Sequence, residues 1–137
     1  MISVASVTDK YILQPSLLSK HRKSLEWLSA ATLWKRELAF FQKLLSQYSS
    51  KLTSVDDKKK IDHFQSLITY YGSELIPSFT SRIRVHEKKL AEMLESRDES
   101  KTEYLKEHDL LMSELEALDT QFLQYKGEFF AFAEEAM

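Results

Sequence analysis

The sequence predicts an all-α protein, an up-down-up antiparallel bundle of three long helices, and three observations carry that prediction. Glycine and proline occur only twice each in 137 residues, too few for the tight turns of a sheet protein. Apolar residues return at three- and four-residue steps over long stretches, which keeps them on one side of a helix. These stripes are wider than the seam of a two-stranded coiled coil, so each helix must meet at least two others.

Residues 1–15 show no sustained period and read as a loosely ordered segment, leaving residues 16–137 as a single helical-bundle domain. Pro15 followed by Ser16 reads as a stop and a cap, the hydroxyl being placed to accept from a first-turn amide. From there Leu17, Ala31, Leu38, Leu45 and Leu52 form one row at heptad spacing, broken by Ser24. Trp27, Trp34, Phe41 and Tyr48 form a second row, and Leu18, Leu25 and Ala39 a third. Aromatic residues at strict heptad spacing fill a core more often than they line a cofactor groove.

Small hydroxyl residues crowd residues 49–54, and Ser54 with Asp57 has the spacing of a capping box, so a turn is expected there. The second helix carries Ile61, Phe64, Ile68, Tyr71, Leu75, Phe79, Ile83, His86, Leu90 and Met93. Two successive four-residue steps from Tyr71 to Phe79 make a local stutter. Pro77 lies inside it and cannot donate to the carbonyl of Ser73, so the helix kinks near Pro77. Gly72 nearby would allow the chain to reverse instead, but the continuing apolar phase favours one kinked helix.

The third helix has two regular rows: Tyr104, Leu111, Leu118, Tyr125 and Phe132, and His108, Leu115, Phe122 and Phe129. Its start rests on the S-x-x-E spacings Ser96/Glu99 and Ser100/Glu103, a continuous second and third helix being the alternative. Charge divides by helix. Residues 16–53 hold seven Lys/Arg against two acids, a balance of +5, and residues 99–137 hold three against ten, a balance of −7. The first and last helices are therefore expected to attract each other at their rims.

Several chemistries are excluded by composition. Without cysteine there is no disulfide, thiolate metal site or cysteine nucleophile. Glycine at positions 72 and 127 alone cannot build a P-loop, a dinucleotide fingerprint or a nucleophile elbow. None of the four histidines has Glu three residues before it, so the Glu-x-x-His signature of carboxylate-bridged bundles is missing. No apolar run nears the roughly 20 residues that span a bilayer, and no signal peptide is evident, so a cytoplasmic protein without membrane contact is expected. The basic clusters Lys20, Arg22, Lys23 and Lys58, Lys59, Lys60 start different antiparallel helices, which disfavours a nucleic-acid groove.

Three constellations remain. His21, His86 and His108 lie one per helix, and counting from the expected turns puts them within about two residues of one level. They could bind a divalent metal, with Glu87 or Glu107 as a fourth ligand or as a hydrogen-bond partner of one. Lys35, on the line of His21, Leu28 and Gln42, faces Glu74 and Gln121 as a polar core layer. Phe40 and Phe130, with Ala131 and Ala133, fall off the main stripes and mark an uncovered interaction surface. The expected function is a non-enzymatic helical bundle, with no cofactor, acting through protein–protein interaction or scaffolding. Its partner is itself, in a larger dimeric bundle, or another protein. The alternative is a metal- or small-ligand-binding bundle using the histidine layer.

Overall fold

The computed structural model describes residues 15–96 and 101–137. The protein is an all-α bundle of three long helical rods in up-down-up order. The first rod is α1 (Pro15–Tyr48), followed by a 3₁₀ turn, Ser49–Lys51. The second joins α2 (Val55–Tyr70) to α3 (Ile76–Ser96) through a π-helical turn, Tyr71–Leu75, and the third is α4 (Lys101–Ala136). The expected loose segment lies outside the described residues except for Pro15. So do residues 97–100 and the proposed caps at Glu99 and Ser100.

The described part of α1 already includes Pro15, so Ser16 lies within the helix rather than capping it. The turn at Ser54 follows expectation. Leu52 is extended, and Ser54 Oγ accepts from the Asp57 amide at 3.1 Å, with Asp56 and Asp57 placed where the helix dipole favours negative charge. Residues 18 to 22 apart meet between α3 and α4: Lys89 with Glu107 and His86 with His108. A continuous helix would hold such residues about 30 Å apart, so the chain turns back before α4.

The π-helical turn is how the second rod accommodates Pro77. The Ile76 amide bonds back five residues to the Tyr71 carbonyl, and the wider turn takes up one extra residue. This shifts the inward face. After Tyr71 the buried residue is Ile76, followed by Ile83, His86 and Leu90, while Leu75 and Phe79 are only half-buried. The shift is local: Ile76 takes the inward place expected of Leu75, while Ile83, His86, Leu90 and Met93 are buried as expected.

The expected single domain separates into two compact units, each built from a length of all three rods. Unit 1 comprises residues up to Ala30 with Phe79–Glu116. Its core holds Leu17 and Trp27 from α1, Ile83 and Leu90 from α3, and Tyr104, Leu111 and Leu115 from α4. Unit 2 comprises Ala31–Ser78 with Ala117–Met137. Its core is aromatic: Trp34 meets Phe122 edge-on at 5.9 Å, Phe41 meets Phe129 at 4.5 Å, Phe64 meets Phe129 edge-on at 5.3 Å, and Tyr71 stacks on Phe122 at 5.2 Å. Edge-on and offset contacts suit the ring quadrupoles. A cavity of about 20 Å³ left among these rings has room for no more than a water-sized group, in keeping with core filling by the aromatic row.

Within unit 2, α1 and α4 run parallel, since Trp34–Phe122, Glu37–Lys126 and Phe41–Phe130 advance together along both helices. Gln42 and Gln65 tie α1 to α2 through two amide hydrogen bonds, of 2.9 and 2.7 Å. Among the described residues no helix is long and apolar enough to cross a membrane.

Candidate functional site

Unit 1 gathers the three predicted histidines into its core. His21, one turn before the buried Ser24 on α1, reaches Glu87 of α3, and both side chains are sealed from solvent. His86, one residue before Glu87, sits about 100° around the helix and so meets α4 instead. Its Nδ1 lies 2.9 Å from Glu107 Oε1 and its Nε2 lies 3.0 Å from His108 Nδ1. The Tyr104 ring, one turn before His108, lies parallel to His86 at 4.3 Å. Lys89 Nζ donates to Glu107 Oε2 at 2.7 Å, at the exposed end of the chain of contacts.

The electrostatics follow from this packing. Burial, then the neighbouring His86 and Lys20, push His108 down to about 4, so it is neutral over most of the pH range. Burial works upward on Glu107, but hydrogen bonds from Lys89 and His86 outweigh it and hold the carboxyl below its usual value. Tyr104 is raised well above an ordinary tyrosine by burial and by Glu87 and Glu107. Glu87 Oε1, Ser24 Oγ and Tyr104 Oη are buried without a hydrogen-bond partner among the described residues.

The layer exists, but its nitrogens do not converge. His86 and His108 turn facing nitrogens to each other, His86 gives its other nitrogen to Glu107, and His21 pairs with Glu87. Among the described residues no group of three or more His, Asp or Glu is arranged to hold a metal ion. The metal reading of His21, His86 and His108 is corrected accordingly: the layer is a set of pairwise contacts.

The polar core layer is also corrected. Lys35, Glu74 and Gln121 are all exposed. Lys35 and Gln121 each adjoin an inward aromatic, Trp34 and Phe122, and one residue along a helix is a rotation of about 100° out of the core. Glu74 stands on the outer side of the π-helical turn. Gln121 still takes a hydrogen bond from Tyr71 Oη at 3.2 Å, and burial, then Tyr125 and Tyr70, push that phenol up to about 12.

Of the three residues expected to form an interaction surface, all in unit 2, two are exposed and one is buried. Phe40 is 53% exposed and Phe130 46%, whereas Ala133 is only 6% exposed and belongs to the core. Rows at strict seven-residue spacing drift by ~20° per heptad on a straight helix. By the end of α4 that drift leaves Phe132 half-buried and brings Ala133 inward. Sequence reasoning missed Leu33 and Leu123, which are 58% and 56% exposed. Each stands seven residues before one of the two phenylalanines, and that spacing was the available signal. Between the two pairs, Lys126 Nζ donates to Glu37 Oε2 at 3.0 Å across the α1/α4 seam.

No family model, curated protein or solved structure matches this chain.

Proposed function

We propose that the chain is a non-enzymatic helical interaction protein that associates with a second copy of itself through the outer α1/α4 face of unit 2. One observation carries the reading: Leu33, Phe40, Leu123 and Phe130 are about half exposed or more, and they flank one seam on two parallel helices. Large apolar side chains grouped in this way mark a contact surface. The proposed setting is a reducing compartment such as the cytoplasm, where a chain without cysteine gives up no covalent support.

Covering four such side chains removes on the order of 300 Å² of apolar surface from each copy, less than the ~800 Å² per partner of a standard interface, so the proposed pairing is weak and transient. The test is sedimentation equilibrium of the full chain across about 1–200 μM. Wild-type protein is expected to pass from monomer to dimer in that range, and Phe40→Glu or Phe130→Glu to remain monomeric with unchanged helix content. A wild-type mass that stays at one chain throughout defeats the reading, as does a dimer indifferent to both substitutions.

A further inference from the structure

The face just described has an internal symmetry that specifies how two copies meet. Glu37 and Lys126 share the seam at one height. Leu33 precedes Glu37 by four residues and Leu123 precedes Lys126 by three, so on parallel helices they stand within about 1.5 Å of the same level. Phe40 and Phe130 follow by three and four residues and match equally closely. The face is thus a ladder of three rungs, Leu beside Leu, Glu beside Lys and Phe beside Phe. Exchanging α1 with α4 leaves the apolar rungs unchanged and inverts the charged one.

Two copies can close on such a face about either of two two-fold axes. With the axis perpendicular to the helices, α1 lies antiparallel on α1 of the other copy, Glu37 meets Glu37, and Lys126 meets Lys126. With the axis along the helices, α1 lies on α4 of the other copy. Leucine then meets leucine, phenylalanine meets phenylalanine, and each Glu37 meets a Lys126. Like charges brought together in an interface are strongly disfavoured, and opposite ones fix register. The rims agree. Beside the apolar rungs, Arg36 and Lys43 are exposed on α1 and Glu134 on α4.

We propose that the dimer is isologous with its two-fold axis along the helices, each α1 seated on α4 of the other copy in a four-helix contact. The arrangement rests on the self-association proposed above and adds the pairing of helices. It makes Glu37 and Lys126 the residues that select between the two packings, while the leucines and phenylalanines provide the area.

Because the chain contains no cysteine, single replacements report the geometry directly. Leu33→Cys and Leu123→Cys, both at exposed positions, are to be mixed at 100 μM and oxidised. A disulfide-linked dimer is expected from the mixture, at least tenfold above the yield from either variant alone. A mixture of Leu33→Cys and Phe40→Cys is the counter-test, because it brings two thiols together only about the perpendicular axis and leaves Glu37 and Lys126 in place. Efficient cross-linking in the Leu33→Cys/Phe40→Cys mixture, or none in the Leu33→Cys/Leu123→Cys mixture, overturns the arrangement while a wild-type dimer by sedimentation leaves self-association standing. A monomeric wild type overturns both.

Discussion

Nε2 of His86 and Nδ1 of His108 lie 3.0 Å apart inside unit 1, so the two rings share one proton and have room for no second. Glu107 settles which ring donates. Its carboxylate accepts from His86 Nδ1, so in the neutral pair His86 Nε2 is the acceptor and His108 Nδ1–H the donor.

The first prediction is a loss of stability in mild acid. His108 has a folded pKa near 4, below the usual 6.5, so the unfolded chain binds the additional proton between those values. Its contribution is present in full above about pH 6.5 and is lost as pH falls toward 4. Urea denaturation should show a decrease of about 1 kcal/mol at pH 5.5 and between about 2 and 3 kcal/mol at pH 4.5. Glu107 is shifted in the same direction, downward, so its contribution is also lost in acid, but only as pH falls below the ordinary carboxylate pKa of about 4.3. A stability flat from pH 7.5 to 4.5 would contradict the buried neutral ring.

Removing one member of the His21–Glu87 pair should be worse than removing both. His21→Leu leaves a carboxylate in a site with no exposed surface and is expected to cost roughly 3–5 kcal/mol. The double variant His21→Leu, Glu87→Leu replaces both groups with apolar ones and should recover most of that loss. A double-mutant cycle in urea measures the difference, and additive losses would show that the two side chains do not act as a pair.

The π-helical turn predicts an order between neighbours. Ile76 is buried and Leu75 half-buried, so Ile76→Ala should cost roughly 2–5 kcal/mol and Leu75→Ala about 1 kcal/mol or less. Equal costs, or the reverse order, would place the second rod in the unshifted phase.

Gly127 lies inside α4 with nothing within 4 Å of where a Cβ would stand. Gly127→Ala should therefore raise stability by about 0.5–1 kcal/mol through the chain entropy of the unfolded state, seen as a Tm higher by several degrees.

Most of the architecture was readable in the sequence because it depends on repeats that many residues restate. Tyr104, Leu111 and Leu118 are buried together with His108, Leu115, Phe122 and Phe129, as their two rows require. The one-residue advance at Ile76 was not readable, since a stutter and a widened turn look alike until the Tyr71 carbonyl shows its partner. Residues at the border of a stripe were also beyond reach. Lys35 and Ala133 lie within one rotation step of core positions, and neighbouring helices decide their side. The histidines could be brought to one level by counting from turns, but whether imidazoles aim at a common point or at each other depends on side-chain torsions that spacing does not encode.

Lys89 and the carboxylate of Glu107 stand partly in water, whereas His86 beneath them has no exposed surface and is joined to that carboxylate at 2.9 Å. Sealing a ring from solvent ordinarily slows the exchange of its labile hydrogen to the rate at which the surrounding helices come apart. Here a wet acceptor touches the sealed ring, so the hydrogen on Nδ1 can leave through Glu107 without any helix moving. His86 should trade that hydrogen for deuterium far sooner than the backbone amides of α3 beside it, and nitrogen-detected NMR of the imidazole would record a burial that shuts out water molecules while admitting protons.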